Sequence, residues 1–332
     1  MNKRSGKRFN FALFYQRFGV VTLLVILFIV AALLSPNFIN PRNLTNVLRQ
    51  IVIITTIACG ACFVMITAQI NFAYDGLIAF LGCMSVLFMV KTDNVVIAVV
   101  GGLALGAAMG LIYGACVTVL KVPGFIVGLA LDSIVSGAIV IISGGVQIKG
   151  AGEAFEVLGK GYIGPVPINV IIMFAVIIIC HVILTKSTFG RKVFAVGGNR
   201  QAAIASGIDA DSVIRRAYII DGLTVATAAI LFMSRLGVGQ PTAGEGYAFD
   251  GITGAVIGGC SIYGGKGSVV GCLVGAAIVG ILDNLLSLMN VSSYWQDVFS
   301  GAVVLVAVLV DMLTKDAATR AVKNMMADKK AA

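Results

Sequence analysis

Long apolar runs separated by short polar punctuation dominate the chain. A helix needs about 20 mostly apolar residues to cross a bilayer core. Ten segments answer to that pattern: Gly19 to Leu34, Val47 to Ala68, Tyr74 to Val90, Val95 to Leu120, Phe125 to Ile142, Ile168 to Leu184, Ala217 to Leu236, Ala248 to Tyr263, Val269 to Met289 and Val298 to Leu313. The pattern predicts an all-α polytopic membrane protein with about ten transmembrane helices. Two stretches of any length remain between spans, Ser143 to Asn169 and Thr185 to Arg216. Neither is large enough for a soluble catalytic domain. The chain therefore divides into a basic segment 1–18, one transmembrane domain 19–313 with a loop at 186–216, and a tail 314–332.

Composition agrees. Of the 332 residues 59% are hydrophobic and only 12% charged, with mean hydropathy +1.01, where a soluble domain carries about 25% charge. The 40 glycines sit inside apolar runs, which points to close helix packing rather than to disorder or a collagen-like chain. Seven cysteines (Cys59, Cys62, Cys83, Cys116, Cys180, Cys260, Cys272) all lie in apolar stretches with no metal-ligand spacing, and read as small buried hydrophobes.

Charge sets the orientation. Lys3, Arg4, Lys7, Arg8 and Arg17 precede a first span that lacks a small-residue cleavage site and is long enough to stay as an anchor. That predicts a cytoplasmic amino terminus, and ten spans return the carboxyl terminus to the same side. The cytoplasmic side then holds 18 of the 24 Lys and Arg; Arg42, Arg49, Lys91, Lys149, Lys160 and Arg235 lie outside or near the outer interface. Anionic lipid and cytoplasmic partners account for the net charge of +9, with no nucleic acid required.

One internal echo stands out. Asn71-Phe72-Ala73-Tyr74-Asp75-Gly76-Leu77-Ile78 matches Gly246-Tyr247-Ala248-Phe249-Asp250-Gly251-Ile252-Thr253 in the order aromatic, Ala, aromatic, Asp, Gly, aliphatic. In the ten-span topology the copies start from opposite sides, which predicts an inverted repeat with discontinuous helices, an architecture of transport paths. A carboxylate in hydrocarbon costs about 2.5–3.5 kcal/mol, against about 0.3–1 kcal/mol gained at a helix start. Asp75 and Asp250 should therefore face protein, water or a path, unless both merely cap helices at the membrane surface. Of the other ionisable residues in or near spans (Asp132, Asp221, Asp283, Asp297, Asp311, Arg235), most lie near predicted ends, and Asp283 is the exception. His181 reads as interfacial and Trp295 as an interface anchor. Gln69, Asn71, Tyr74, Asp75, Tyr247, Asp250 and Asp283 are the candidate path residues.

In the loop, Asn199 is a good N-cap and Gly207 a good stop, with Ala-rich sequence favouring about two turns of helix between them. A solvated connector gains nothing from Ala202, Ala203, Ile204, Ala205 and Ile208, so the segment is expected to dock a partner. The stretch Gly259 to Ser268 resembles a phosphate loop superficially, but Lys266 is followed by Gly267 rather than Ser or Thr. No dinucleotide fingerprint, zinc-protease motif or nucleophile elbow with partners is present, so on this reading the chain cannot hydrolyse ATP by itself and any chemistry is intramembrane or belongs to a partner.

Several pieces in order carry a family resemblance: Phe189-Gly190-Arg191, Ala195-Val196-Gly197-Gly198-Asn199, Ser206-Gly207-Ile208, Gln240-Pro241-Thr242-Ala243-Gly244, Gly264-Gly265-Lys266-Gly267, and Val291-Ser292-Ser293-Tyr294-Trp295-Gln296. Near the start Ser35-Pro36-Asn37-Phe38 and Asn43-Leu44 fit as well. The chain resembles the permease subunits of ribose, galactose and xylose type ATP-binding cassette importers. The resemblance implies a dimer with a second copy or a paralogue in the bacterial cytoplasmic membrane. Two ATPase subunits would sit inside and bind the ATP, with no cofactor on this chain, and a periplasmic or lipid-tethered binding protein would deliver solute outside. Asn199, Arg200, Gln201, Ala202, Ala203, Ser206, Gly207 and Ile208 would then form the coupling helix. The family's usual Gly-Gly-Ile-Asp-Leu-Ser-Val-Gly is replaced by Ala68-Gln69-Ile70-Asn71-Phe72-Ala73-Tyr74-Asp75, so the family acid is Asn71 here. An ion-coupled transporter or channel is the competing reading, and it leaves the capped basic loop without a purpose.

Overall fold

The computed structural model describes residues 11–292 and, beyond them, 295, 298, 299, 301, 302, 305, 306, 309 and 312. The helices are α1 (Phe11–Leu34), α2 (Pro41–Ile66), α3 (Tyr74–Thr92), α4 (Val95–Thr118), α5 (Gly124–Ser143), α6 (Gly152–Lys160), α7 (Ile168–Lys186), α8 (Thr188–Gly198), α9 (Arg200–Ala205), α10 (Ala210–Leu236), α11 (Tyr247–Ile257) and α12 (Val269–Leu288). Among the described residues seven of these, α2, α3, α4, α5, α7, α10 and α12, are long and apolar enough to cross a membrane, and Val20–Leu34 and α11 are shorter apolar helices. The predicted span Val298 to Leu313 and the tail fall largely outside the described residues.

Local chemistry sets the ends. The side chains of Asn40, Asn94, Ser187, Asp209 and Ser268 accept N–H bonds at the starts of α2, α4, α8, α10 and α12. Gly144 and Gly237, at φ +67° and +76°, end α5 and α10 in the left-handed conformation that glycine adopts without strain. Two predicted loops prove structured. Ser143 to Asn169 contains α6 and a two-residue hairpin, β1 (Tyr162–Ile163) with β2 (Val166–Pro167). The long loop before α10 folds as α8 and α9 rather than as one short helix.

Burial is graded from the centre outward. α2 is enclosed from Ile51 to Ile66, and α10 is buried along most of its length, whereas α4, α5 and α7 expose broad apolar faces. Glycine permits this nesting. Gly102, Gly106, Gly110 and Gly114 recur every fourth residue along α4 and face α10. A Cβ on Gly106 would strike the Gly222 carbonyl, and one on Gly110 the Tyr218 carbonyl. α11 and α12 meet likewise, through Gly254 and Gly258 against Gly275 and Gly271. Without a hydrophobic driving force between helices in lipid, such backbone contact is what association draws on. Gly106→Leu is expected to lower the detergent-solubilised melting temperature by several degrees, consistent with overpacking of about 1–3 kcal/mol or more. Gly137→Ala, whose added carbon meets nothing within 4 Å, should melt like wild type.

Candidate functional site

A polar knot is buried where α2, α4 and α10 meet the chain entering α3. Asp221, on α10, is 1% exposed. Its Oδ2 accepts the Asn71 Nδ2–H at 2.7 Å and its Oδ1 accepts the Tyr74 hydroxyl at 3.0 Å. Asn71 is two-faced: its Oδ1 accepts the Ala73 N–H at 2.8 Å, so one side chain shapes the start of α3 and ties it to α10. Gly60 of α2 leaves the room. A Cβ there would lie 2.6 Å from Asp221 Oδ1 and strike Thr224 Oγ1. One helical turn away Tyr218 stacks on Tyr113 with ring centroids 4.3 Å apart, and the Tyr113 hydroxyl donates to the Gly124 carbonyl at 2.7 Å. Gln69 Oε1 reaches the same glycine, 2.8 Å from where its Cβ would be.

Beside this knot the two repeat copies touch. The Asp75 carboxylate does not cap its own helix. Its Oδ1 accepts the Ala248 N–H at 2.7 Å and its Oδ2 the Gly246 N–H at 3.1 Å, so it closes the amino end of α11. The exposed N–H groups and partial positive charge of that end favour a carboxylate. In turn Gly76, in the first turn of α3, donates its N–H to Asp132 Oδ1 of α5 at 2.7 Å. Gly244 lies so close to the Asp75 backbone that no Cβ fits, and Phe72 meets Phe249 edge-on at 6.4 Å. Thus α5 caps α3, and α3 caps α11.

A third group borders the junction. Tyr247 packs edge-on against Phe232 at 5.3 Å and lies within Coulomb reach of Asp250, Arg235 and Asp283. Of the sequence-predicted path residues, Asn71 and Tyr74 are fully buried and tied to Asp221, while Gln69, Asp75, Tyr247, Asp250 and Asp283 are half-buried. Asp221 was placed near a span end by sequence, but it is the twelfth residue of 27-residue α10, because Asp209 caps the Ser212 N–H and starts the helix at Ala210. The Gly207-Ile208-Asp209 run was the signal for it. The predicted span Ala248 to Tyr263 is also corrected: α11 covers 11 residues, about 16 Å, too short to cross alone.

At the end of the bundle formed by Ile66, Thr118 and Ser268, the loop helices assemble. Asn199 Oδ1 accepts the Ala202 N–H at 3.0 Å and Gly207 turns at φ +81°, as the sequence predicts. Lys121 and Arg200 both pair with Asp211, at 2.7 and 2.5 Å. Within the segment that the sequence predicts to dock, Ala203 is buried and faces its own protein, whereas Ile204 is 54% exposed, with Arg200, Gln201, Ala202 and Ser206 also open. The phosphate-loop lookalike is a tight turn whose Gly265 N–H is consumed by the Ile66 carbonyl at 2.9 Å.

Residues 43–308 match the family model described as branched-chain amino acid transport system / permease component. The chain is 38% identical over 307 residues to the ribose import permease protein RbsC of Bacillus subtilis (strain 168), covering 92% of this chain and 95% of that one. It is 37% identical to RbsC of Escherichia coli (strain K12) over 92% and 97% of the two chains, and 31% identical to the D-allose transport system permease protein AlsC of the same strain over 92% and 95%. No solved structure matches the chain.

The position where the resembled pattern carries an acid is Asn71, and the acid stands across the hydrogen bond at Asp221. Asn71→Asp alone sets two carboxylates face to face and should be the least stable variant. Adding Asp221→Asn restores every donor and acceptor, so the swap should recover stability. A thermal-melting double-mutant cycle is expected to show coupling of about 1–3 kcal/mol; additive effects would mean the pair does not communicate.

Proposed function

The chain belongs to the branched-chain amino acid transport system / permease component family, and from that membership we propose that it is the membrane subunit of an ATP-binding cassette importer carrying a monosaccharide or similar small polar solute inward. Full-length likeness to permeases named for ribose and D-allose carries the reading. The chain is a multi-pass membrane protein and a transport subunit, not an enzyme. The energy source on this reading is an ATPase subunit in the cytoplasm, and solute arrives from a periplasmic or lipid-tethered binding protein. A second copy or a paralogue completes the pathway in the bacterial inner membrane.

The transport path runs past the α3–α11 junction. Residues 67–73 lead to α3 from the α8–α9 end of the bundle, and residues 237–246 lead to α11 from the opposite end, where Gly239 pairs with Ile148. The two helix starts meet through Asp75 while their chains arrive from opposite ends of the bundle, an arrangement that supports the inverted repeat. Gln69, Asp75, Tyr247, Asp250 and Asp283 offer half-buried hydrogen-bonding groups to a hydroxyl-rich cargo, while Asn71 and Tyr74 act through Asp221 as positioning residues. Alternating access then follows from two packings around the junction. An ion-gradient transporter would share the junction, but its relatives would not be expected to be import-system permeases.

α9 is the coupling element, docking through its open face rather than through Ala203. In vesicles holding the permease, its ATPase and its binding protein, ATP should drive uptake of ribose or D-allose; uptake driven by an ion gradient without the ATPase would overturn the reading. Ile204→Glu should cut ATP-driven uptake at least tenfold while membrane insertion and melting temperature stay unchanged. An impermeant thiol reagent should label Lys149→Cys from outside and Gln201→Cys only from inside.

A further inference from the structure

Three of the cysteines, which lack metal-ligand spacing in the sequence and read there as small buried hydrophobes, converge in the fold. Cys62 of α2, Cys260 just after α11 and Cys272 in the first turn of α12 bring their three sulfurs within 4.8 Å of one another, and Cys260 and Cys272 Sγ lie 3.6 Å apart. All three are buried, at 0–2% exposure. Two thiolates on one metal ion at the usual bond length of about 2.3 Å stand about 3.8–4.0 Å apart, so the triangle needs little adjustment to close on an ion. Filling space alone would not require three convergent soft ligands from three separate segments.

We propose that Cys62, Cys260 and Cys272 form a binding site for one soft, thiolate-seeking divalent metal ion. Binding forms three metal–sulfur bonds and releases the three thiol protons to solvent, leaving one net negative charge on the complex. That charge lies at the amino end of α12, where the helix favours it. Thiolate ligands select soft ions over magnesium or calcium. Entry is through the turn that follows α11: Gly259 next to Cys260 is exposed, and Gly259, Gly264 and Gly265 adopt positive φ.

A filled site staples this turn to α2. The same turn carries Gly265, bonded to Ile66 and packed against Gly198 of α8, so the staple fixes the turn beside the loop helices. On the transport reading above, metal would slow uptake; the binding itself does not depend on that reading.

The test uses Cd(II) as probe on the full-length protein in detergent. One equivalent should bind, with the ultraviolet sulfur-to-cadmium charge-transfer band, and a chelator should remove it. Cys62→Ala, Cys260→Ala and Cys272→Ala should each weaken binding at least tenfold, while Cys83→Ala and Cys116→Ala bind as wild type. In wild type, bound Cd(II) should slow alkylation of residues 62, 260 and 272 and leave that of Cys116, the part-exposed cysteine, unchanged, a readout that needs no variant to fold. Absence of the band, undiminished binding in all three single variants, or equal slowing at Cys116 would overturn the site. Failed uptake in metal-free vesicles, with Cd(II) binding by the detergent-solubilised protein intact, would count against the transport reading alone.

Discussion

Backbone-to-backbone contact of α10 with its neighbours is the constraint on which the rest depends. Gly106, Gly110 and Gly222 bring α4 against one side of α10, and Gly60 brings α2 against another. Only at that separation can Asp221 be enclosed and still reach Asn71 and Tyr74. A buried carboxylate is tolerated when its oxygens are met by donors, and here both oxygens are. Wider helix spacing would admit lipid or water and dissolve the arrangement that orients the start of α3.

The second layer is a relay of caps. Both α3 and α11 begin inside the protein, where their free N–H groups need partners, and each draws one from a different element: Asp132 serves α3 and Asp75 serves α11. Carboxylates that look costly in an apolar sequence are thereby spent on backbone groups that would otherwise be orphaned. The acid found at Asp221 instead of at position 71 fits the same logic, since a hydrogen-bonded pair can hold its charge on either member.

Much of this was legible in the residues. Run length located most membrane helices, the echo around Asp75 and Asp250 marked the two segments that touch, and Asn199 with Gly207 bracketed α9. Three things were hidden for identifiable reasons. Arg215 and Arg216 made α10 look as if it began late, because charge in a helix's first turns reads as loop unless the Asp209 cap is weighed first. Which helix a carboxylate caps is a tertiary fact, so the sequence leaves Asp75 open between capping a helix at the membrane surface and facing protein, water or a path. The meeting of Cys62 with Cys260 and Cys272, about 200 residues apart in sequence, leaves no trace in local spacing.

α11 is held at both ends. Eleven residues make a short, stiff rod of about 16 Å. One tip is fastened to the Asp75 carboxylate, and the glycine turn beyond the other rests on Ile66 beside α8. A rod held at both ends has no slack: when the far turn is displaced, the near tip must either travel with it or let go of its anchor.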